Sequence, residues 1–311
     1  MRAEKCPLDL SNHVAIPIEK IKNKLPSLLF RSKILTFFWN IFCQMKGRGR
    51  FQFIPDGAFS GWGMTTNSRT PWSGGGGHQV TQDFCAADSR LKQSVVEKRF
   101  TLSQFANKGS RKPADQVAAL DQLMWKHYFV YWSAAYASSN THSIKKNFAE
   151  CGVCDGVTAY YALSAANAAN VMGDAYLYDS WDAIKKEHLS ESERFRLGDY
   201  AYLDIDVTKK NLNLIEGRRI NFNKGYIPDV FSIVQNPETL VWLHVDLNLT
   251  VPTMDALNFF WDKLECGGVI LFDDYAWEDS GKAAEAWSMK KNGLWLHFPT
   301  GQGLFIKSAP R

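Results

Sequence analysis

Three carboxylates stand at the ends of two apolar runs: Asp246 follows "LVWLHV", and Asp273 with Asp274 follows "GGVILF". Runs of this length rich in Val, Ile, Leu and Phe read as buried strands. If the two strands are neighbours in one sheet, they deliver three acids to one edge. Three like charges that close repel strongly unless a cation neutralises them. An oxygen-only donor set with room for water or substrate suits Mg²⁺ or a similar hard divalent ion. His244 lies two residues before Asp246 on the same strand, where it could face the same site as a proton acceptor or sit in the core as a satisfied histidine.

A second group lies upstream. In "FAECGVCDGVTAYYAL" (148–163), Gly152 and Gly156 let the backbone turn tightly and approach a ligand before a helix begins. The stretch lacks the Lys-Ser/Thr of a P-loop and the third glycine of the dinucleotide fingerprint. Cys151 and Cys154 form a CxxC, but no second pair or nearby His completes a zinc site, and the two glycines do not suit a thioredoxin-like motif. Next, "YLYDSWD" places Asp179 at a strand end, where an acid commonly accepts hydrogen bonds from ribose hydroxyls. A glycine loop followed by such an acid points to a nucleoside ligand; the alternative is an Asp that only caps the next helix.

The elements that must position these residues alternate. From residue 148 onward, segments of strand and helix pattern follow one another, and "LWLHF" and "GLFIKS" close the chain around the turn "PTGQG". The order predicts an α/β fold: a Rossmann-like, doubly wound, mostly parallel sheet with a C-terminal antiparallel hairpin. Ligands in such sheets bind beyond the carboxyl ends of the strands, where all of the residues above fall. Ahead of the sheet, "ADQVAALDQLMWKHYFVYWSAAYASS" predicts one long helix from Pro113, and residues 52–115 read as turn-rich. We therefore expect an N-terminal extension over 1–115 and a catalytic domain over 116–311. The extension would hold a basic amphipathic helix in its first 50 residues and a Gly-rich loop at 57–82, a candidate lid.

The chain has 36 basic and 32 acidic side chains, an excess too small for a dedicated nucleic-acid binder. Arg31 and Lys33 interrupt the N-terminal apolar stretch, which is too short to cross a bilayer, so no transmembrane segment is expected; peripheral membrane contact through that stretch stays open. It does not read as a signal peptide, and six scattered cysteines suit a reducing compartment, so the expected setting is cytoplasmic.

Taken in order, E-C-G-V-x-x-G, Y-x-x-D-S-W-D, "FNKGYIPDVF", L-H-V-D-L with "TMDAL", and "LECGGVILFDDYAW" resemble the macrocin O-methyltransferase (TylF-like) family over about residues 148–307. The resemblance implies a class I S-adenosylmethionine-dependent O-methyltransferase that uses a divalent metal. It implies that Glu150, Gly152 and Gly156 surround the methionine part of S-adenosylmethionine and that Asp179, with Ser180 beside it, holds the ribose. It further implies Asp246, Asp273 and Asp274 as metal ligands, with Asp246 also a candidate general base; from its place on the strand, His244 is the alternative proton acceptor. The expected acceptor is a hydroxyl of a sugar, a glycosylated metabolite or a similar polyol, with a catechol-type phenol as the alternative. A non-catalytic nucleoside-binding or assembly protein on the same fold is the rival class, and a homo-oligomer is compatible with any of these. The chain departs from the family after Asp246: the family continues Leu, Asp, Leu, Tyr, and this chain has Leu247, Asn248, Leu249 and Thr250.

Overall fold

The computed structural model describes residues 82–109 and 111–309. The amphipathic segment and almost all of the Gly-rich lid loop therefore lie outside the described residues. Strand β1 (Phe148–Cys151) is followed by β2 (Ala175–Asp179), β3 (Ile220–Lys224), β4 (Leu240–Val245), β5 (Leu264–Phe272), β6 (Gly293–His297) and β7 (Gly303–Lys307). They form one sheet in the order β3-β2-β1-β4-β5-β7-β6. The first five strands pair in parallel, and β7 runs antiparallel to both β5 and β6. The doubly wound sheet and its closing hairpin are those expected from the sequence. The chain starts at β1, winds outward to β3 and returns to β4 on the other side of β1. The switch point, where such sheets open a crevice, thus lies between β1 and β4.

The register sets the floor of that crevice. Cys151 pairs with Tyr178 of β2 and with Val245 of β4, and Val245 pairs with Phe272 of β5. The next residues, Gly152, Asp179, Asp246 and Asp273, consequently form one row along the carboxyl edge. Strand alternation sorts the side chains between two cores. Phe148, Trp242, Val269 and Leu271 pack into one face, and Ala149, Leu243, Ile270 and Phe272 into the other. The first face carries α1 (Gln82–Val96), α4 (Met124–Asn140) and α5 (Val157–Ala168), and the second carries α8 (Thr250–Trp261) and α9 (Glu278–Ser288).

Two expectations need correction. The long helix from Pro113 is two helices, α3 (Pro113–Gln122) and α4, separated at Leu123, whose ψ of 8° interrupts the helical run. The break lets α4 lie along the sheet while α3 turns to meet α1. The turn-rich reading of 52–115 also fails in its described part, which holds α1 and a short α2 (Ser103–Asn107). Phe84, Ala87, Leu91 and Val95 recur at helical spacing, are all buried, and join the same core as α4 and α5. Phe84 stacks on Tyr161 of α5 at 5.5 Å. Between β2 and β3, α6 (Ile205–Leu212) starts at Asp204, whose side chain accepts the Asp206 N–H at 2.9 Å as an N-cap. A last short helix, α7 (Val230–Ile233), precedes β4. Among the described residues no helix is long and apolar enough to cross a membrane.

Candidate active site

A cavity of about 380 Å³ opens over the switch point. Of the residues singled out in the sequence, Gly152, Asp179, Ser180, Asp246, Asp273 and Asp274 line it. Glu150, Gly156 and His244 do not line it.

Gly152 is where two strand ends come closest. Its φ is +86°, and a Cβ there would lie 1.8 Å from the carbonyl oxygen of Asp246, so only glycine permits the approach of β1 to β4. Gly156, at φ +85°, is the N-cap of α5, and a Cβ there would press on Leu212 of α6. Asp179 ties the glycine loop to β2: Oδ2 accepts the N–H groups of Val153 (2.7 Å) and Cys154 (2.9 Å), and Oδ1 accepts that of Trp181 at 2.7 Å. The Ser180 N–H adds a further bond to the same carboxylate, and burial, against these four donors, holds Asp179 above its ordinary range. Ser180 Oγ donates to the Asp182 carbonyl at 3.1 Å. The loop is braced from behind by Thr208, whose hydroxyl donates to the Cys154 carbonyl at 2.6 Å. Asp155 turns away from the cavity and accepts the Gln104 N–H at 2.9 Å.

Because both Asp179 oxygens act as acceptors, an amide at this position must turn its NH₂ toward an N–H. Asp179→Asn is therefore expected to loosen the loop, at a cost of about 1–3 kcal/mol. Thermal unfolding checks this, and a melting temperature equal to wild type would mean that Asp179 does not hold the loop.

The CxxC does not behave as a reactive pair. Cys151 and Cys154 are free thiols, and burial, followed by the nearby acids, pushes both well above the usual thiol range. Thiolate chemistry wants the opposite environment.

The carboxylate row continues the face of Glu150 and His244. Glu150 is fully buried, and its Oε1 accepts hydrogen bonds from the Thr158 hydroxyl and from His244 Nδ1, the latter at 2.8 Å. The His244 ring stacks near Trp242 at 5.7 Å, and its Nε2 points to Asp273 Oδ1 at 3.7 Å. Ligand atoms of His244, Asp246 and Asp273 lie within 4.8 Å of one another. Asp274 falls on the other side of the strand and is not part of this convergence: its Oδ2 accepts the Asn248 N–H at 2.6 Å.

Two residues that sequence reasoning missed complete the site. The Lys126 ammonium, from the first turn of α4, pairs with Asp273 Oδ2, and about a quarter of its side chain (26%) remains open to the cavity. Gln302, wholly buried before β7, donates to Asp273 Oδ1 at 3.1 Å. Both are far from Asp273 in sequence and carry no motif. The only local sign was a Lys on an otherwise aromatic stretch of helix, "MWKHYF".

These contacts separate the three acids electrostatically. Burial, then repulsion from Asp273 and Asp274, holds Asp246 well above the usual carboxylate range. Burial and Asp273 push Asp274 up to about 6. For Asp273 burial acts upward, but Lys126 and His244 outweigh it and hold the group below its usual range. His244 is carried to about 10 against its burial by Asp273 and Glu150. Asp273 is thus held in its ionised form, while Asp246 and Asp274 both take a proton more readily than an ordinary carboxylate. Asp246 is also partly open to the cavity, and its Oδ1 is steadied by the Asn248 amide at 3.2 Å.

As a donor set, these buried carboxylate oxygens fit a hard divalent ion in chemical type. The position on Asp273, however, already carries the Lys126 ammonium, which an ion would have to displace.

A glycine loop, a strand-end acid beside it and a buried carboxylate row, all at the switch point of a doubly wound sheet, form the ligand crevice of a Rossmann-like fold. Residues 88–295 match the Macrocin-O-methyltransferase (TylF) family. The chain belongs to that family, and it is an O-methyltransferase of the S-adenosylmethionine-dependent type. No curated protein matches the sequence at a significant level. Among solved structures, the O-methyltransferase NovP is 16% identical with a TM-score of 0.52, covering 60% of this chain and 81% of its own. The calicheamicin methyltransferase CalS11 is 15% identical with a TM-score of 0.44, covering 73% of this chain and 94% of its own. The SAH-bound Podospora anserina methyltransferase PaMTH1 is 12% identical with a TM-score of 0.40, covering 74% and 89% respectively.

Proposed function

We propose that this enzyme transfers the methyl group of S-adenosylmethionine to a hydroxyl of a sugar or polyol-like small molecule, with Asp246 as the general base. The observation that supports this reading is the row Gly152, Asp179, Asp246 and Asp273, which sets a glycine loop beside buried carboxylates in one cavity. In this reading the catalytic domain includes α1 and α2 together with residues 116–311, because α1 is part of the same core. A cytoplasmic setting belongs to the same reading.

The cofactor would lie over the glycine loop, with Gly152 admitting it close to the backbone and Asp179, which lines the cavity, placed beside its ribose. The acceptor hydroxyl would sit against Asp246, whose Oδ1 is occupied by the Asn248 amide while Oδ2 faces the acceptor. The proton passes to Asp246 as the oxygen attacks the methyl carbon and the carbon–sulfur bond breaks. The alkoxide character that develops and the sulfonium charge that disappears cancel, so exclusion of water helps the step. Glu150 and Asp273 hold His244 charged below the row, which limits the repulsion that Asp246 meets when ionised. A divalent ion held by Asp246 and Asp273, without the Asp274 expected from the sequence because its carboxylate turns to the Asn248 backbone, would act as a Lewis acid on the acceptor hydroxyl. For the chain's own residues, the consequence is a competition in which Lys126 must leave Asp273.

Titration of the purified protein with S-adenosylmethionine tests the reading first. Binding in the micromolar range, about −8 kcal/mol, is expected; no binding would refute it. Labelled cofactor with a panel of sugars then reads transfer. The lysine is tested in the same preparation after chelator treatment. Lys126→Met is expected to bind Mn²⁺ about ten-fold or more tightly than wild type by electron paramagnetic resonance, because no ammonium need be displaced. Equal Mn²⁺ affinities would mean that Lys126 is not the counter-ion of the cluster.

A further inference from the structure

A groove leaves the cofactor cavity past Asn248 and Trp277, sharing Lys108, Tyr200, Asn248 and Trp277 with it. Its distinguishing group is Arg196, at the end of the short 3₁₀ turn Arg194–Arg196. Arg196 is only 7% exposed. Its guanidinium carbon lies 4.7 Å from the centre of the Trp277 ring, so an aromatic face is covered by it, while Nη1 donates to Asn248 Oδ1 at 3.2 Å. Among the described residues, no carboxylate forms an ion pair with it.

Asp274 acts on it only from beyond ion-pair distance, and a buried guanidinium without a carboxylate in contact is costly, since a charge taken out of water needs a counter-charge and hydrogen bonds to compensate. Of its five N–H donors, one is engaged by Asn248. The indole beside it limits the directions the fork can take, and the donors that remain match the geometry of carboxylate and phosphate. The other charged groups lining the groove are Lys108 and Asp199, which offset each other, so Arg196 sets the sign.

The position relative to the reacting groups is defined by hydrogen bonds. Asn248 takes the Arg196 N–H on its Oδ1 and donates from Nδ2 to Asp246 Oδ1 at 3.2 Å. One amide therefore links the unpaired cation to the proposed base. Because residue 248 is an amide rather than an acid, it binds Arg196 without neutralising its charge.

We propose that this groove is the acceptor subsite and that it selects an acceptor bearing an anionic group, a carboxylate or a phosphate, which the Arg196 guanidinium holds against Trp277. The inference rests on the methyl-transfer reading and names the acceptor's charge class. Half-buried Tyr200 and Tyr202 along the same wall offer faces for the carbohydrate ring between the anion and the reacting hydroxyl.

The test uses the full chain loaded with S-adenosylhomocysteine and titrated calorimetrically with glucose, glucuronate and glucose 6-phosphate. At least one anionic sugar is expected to bind about ten-fold or more tightly than glucose, and which of the two does so identifies the anion. Arg196→Gln is expected to erase the difference. Asn248→Asp is expected to erase it too, by giving Arg196 an internal carboxylate, and it covers the case in which Arg196→Gln does not fold. Equal binding of the three sugars, binding of none, or an undiminished preference in Arg196→Gln would overturn the proposal. Failure of S-adenosylhomocysteine itself to bind would instead strike the methyl-transfer reading.

Discussion

Asp246→Asn is expected to lower kcat by about 10²–10⁴-fold, the usual contribution of a positioned general base, while leaving S-adenosylhomocysteine affinity within a few-fold of wild type. The amide keeps the shape of the side chain but cannot accept the acceptor's proton. The same change removes the ionised form that burial, Asp273 and Asp274 oppose, so the melting temperature should hold or rise while activity falls. Calorimetry and single-turnover transfer measured together separate this outcome from general damage. Activity at the wild-type level would move the proton acceptor away from Asp246.

Gly152→Ala is expected to be the most damaging single change at the site. The added methyl would meet the Asp246 carbonyl oxygen at 1.8 Å, on a backbone whose φ of +86° already disfavours a side chain. Relief requires β1 and β4 to part at their carboxyl ends. That would weaken the Asp246 N–H bond to the Cys151 carbonyl, now 2.8 Å, and displace both the loop and the base. We expect a loss of about 4 kcal/mol in stability, seen as a melting temperature about 10 °C lower, and cofactor affinity reduced about 100-fold or more. A variant that melts and binds like wild type would mean that the strand ends are not held in this approach.

The two substitutions probe different layers of the same row. Gly152 makes the crevice possible by lacking an atom, whereas Asp246 uses the crevice by offering a lone pair. Their effects should differ accordingly: the glycine change should appear in stability and binding, the aspartate change in turnover alone.

Much of this organisation was legible in the amino-acid sequence, because it rests on local signals. Strand runs of branched and aromatic residues, a helix after each, and acids or glycines at the run ends are each encoded within a dozen residues. The doubly wound sheet, its antiparallel closing hairpin, and the gathering of Gly152, Asp179, Asp246 and Asp273 on one edge follow from them. The helix at Gln82–Val96 was also written locally, in the spacing of Phe84, Ala87, Leu91 and Val95, but the Gly and Ser punctuation just before it obscured the period.

What only the tertiary structure decided is which of these residues meet. Adjacent acids look equivalent in "FDDY", yet strand alternation sends Asp273 toward Lys126, Gln302 and His244 and Asp274 toward the Asn248 backbone. Glu150 reads as a wall of the cofactor site and instead lies fully buried against His244, because register pairs the two across β1 and β4. Lys126, Arg196 and Gln302 carry no motif at all, since a side chain's role in a cluster depends on partners that folding brings from distant segments. Sequence determines the order of elements and the chemistry available at their ends; packing determines which charge finds which counter-charge, because burial makes each such pairing decisive.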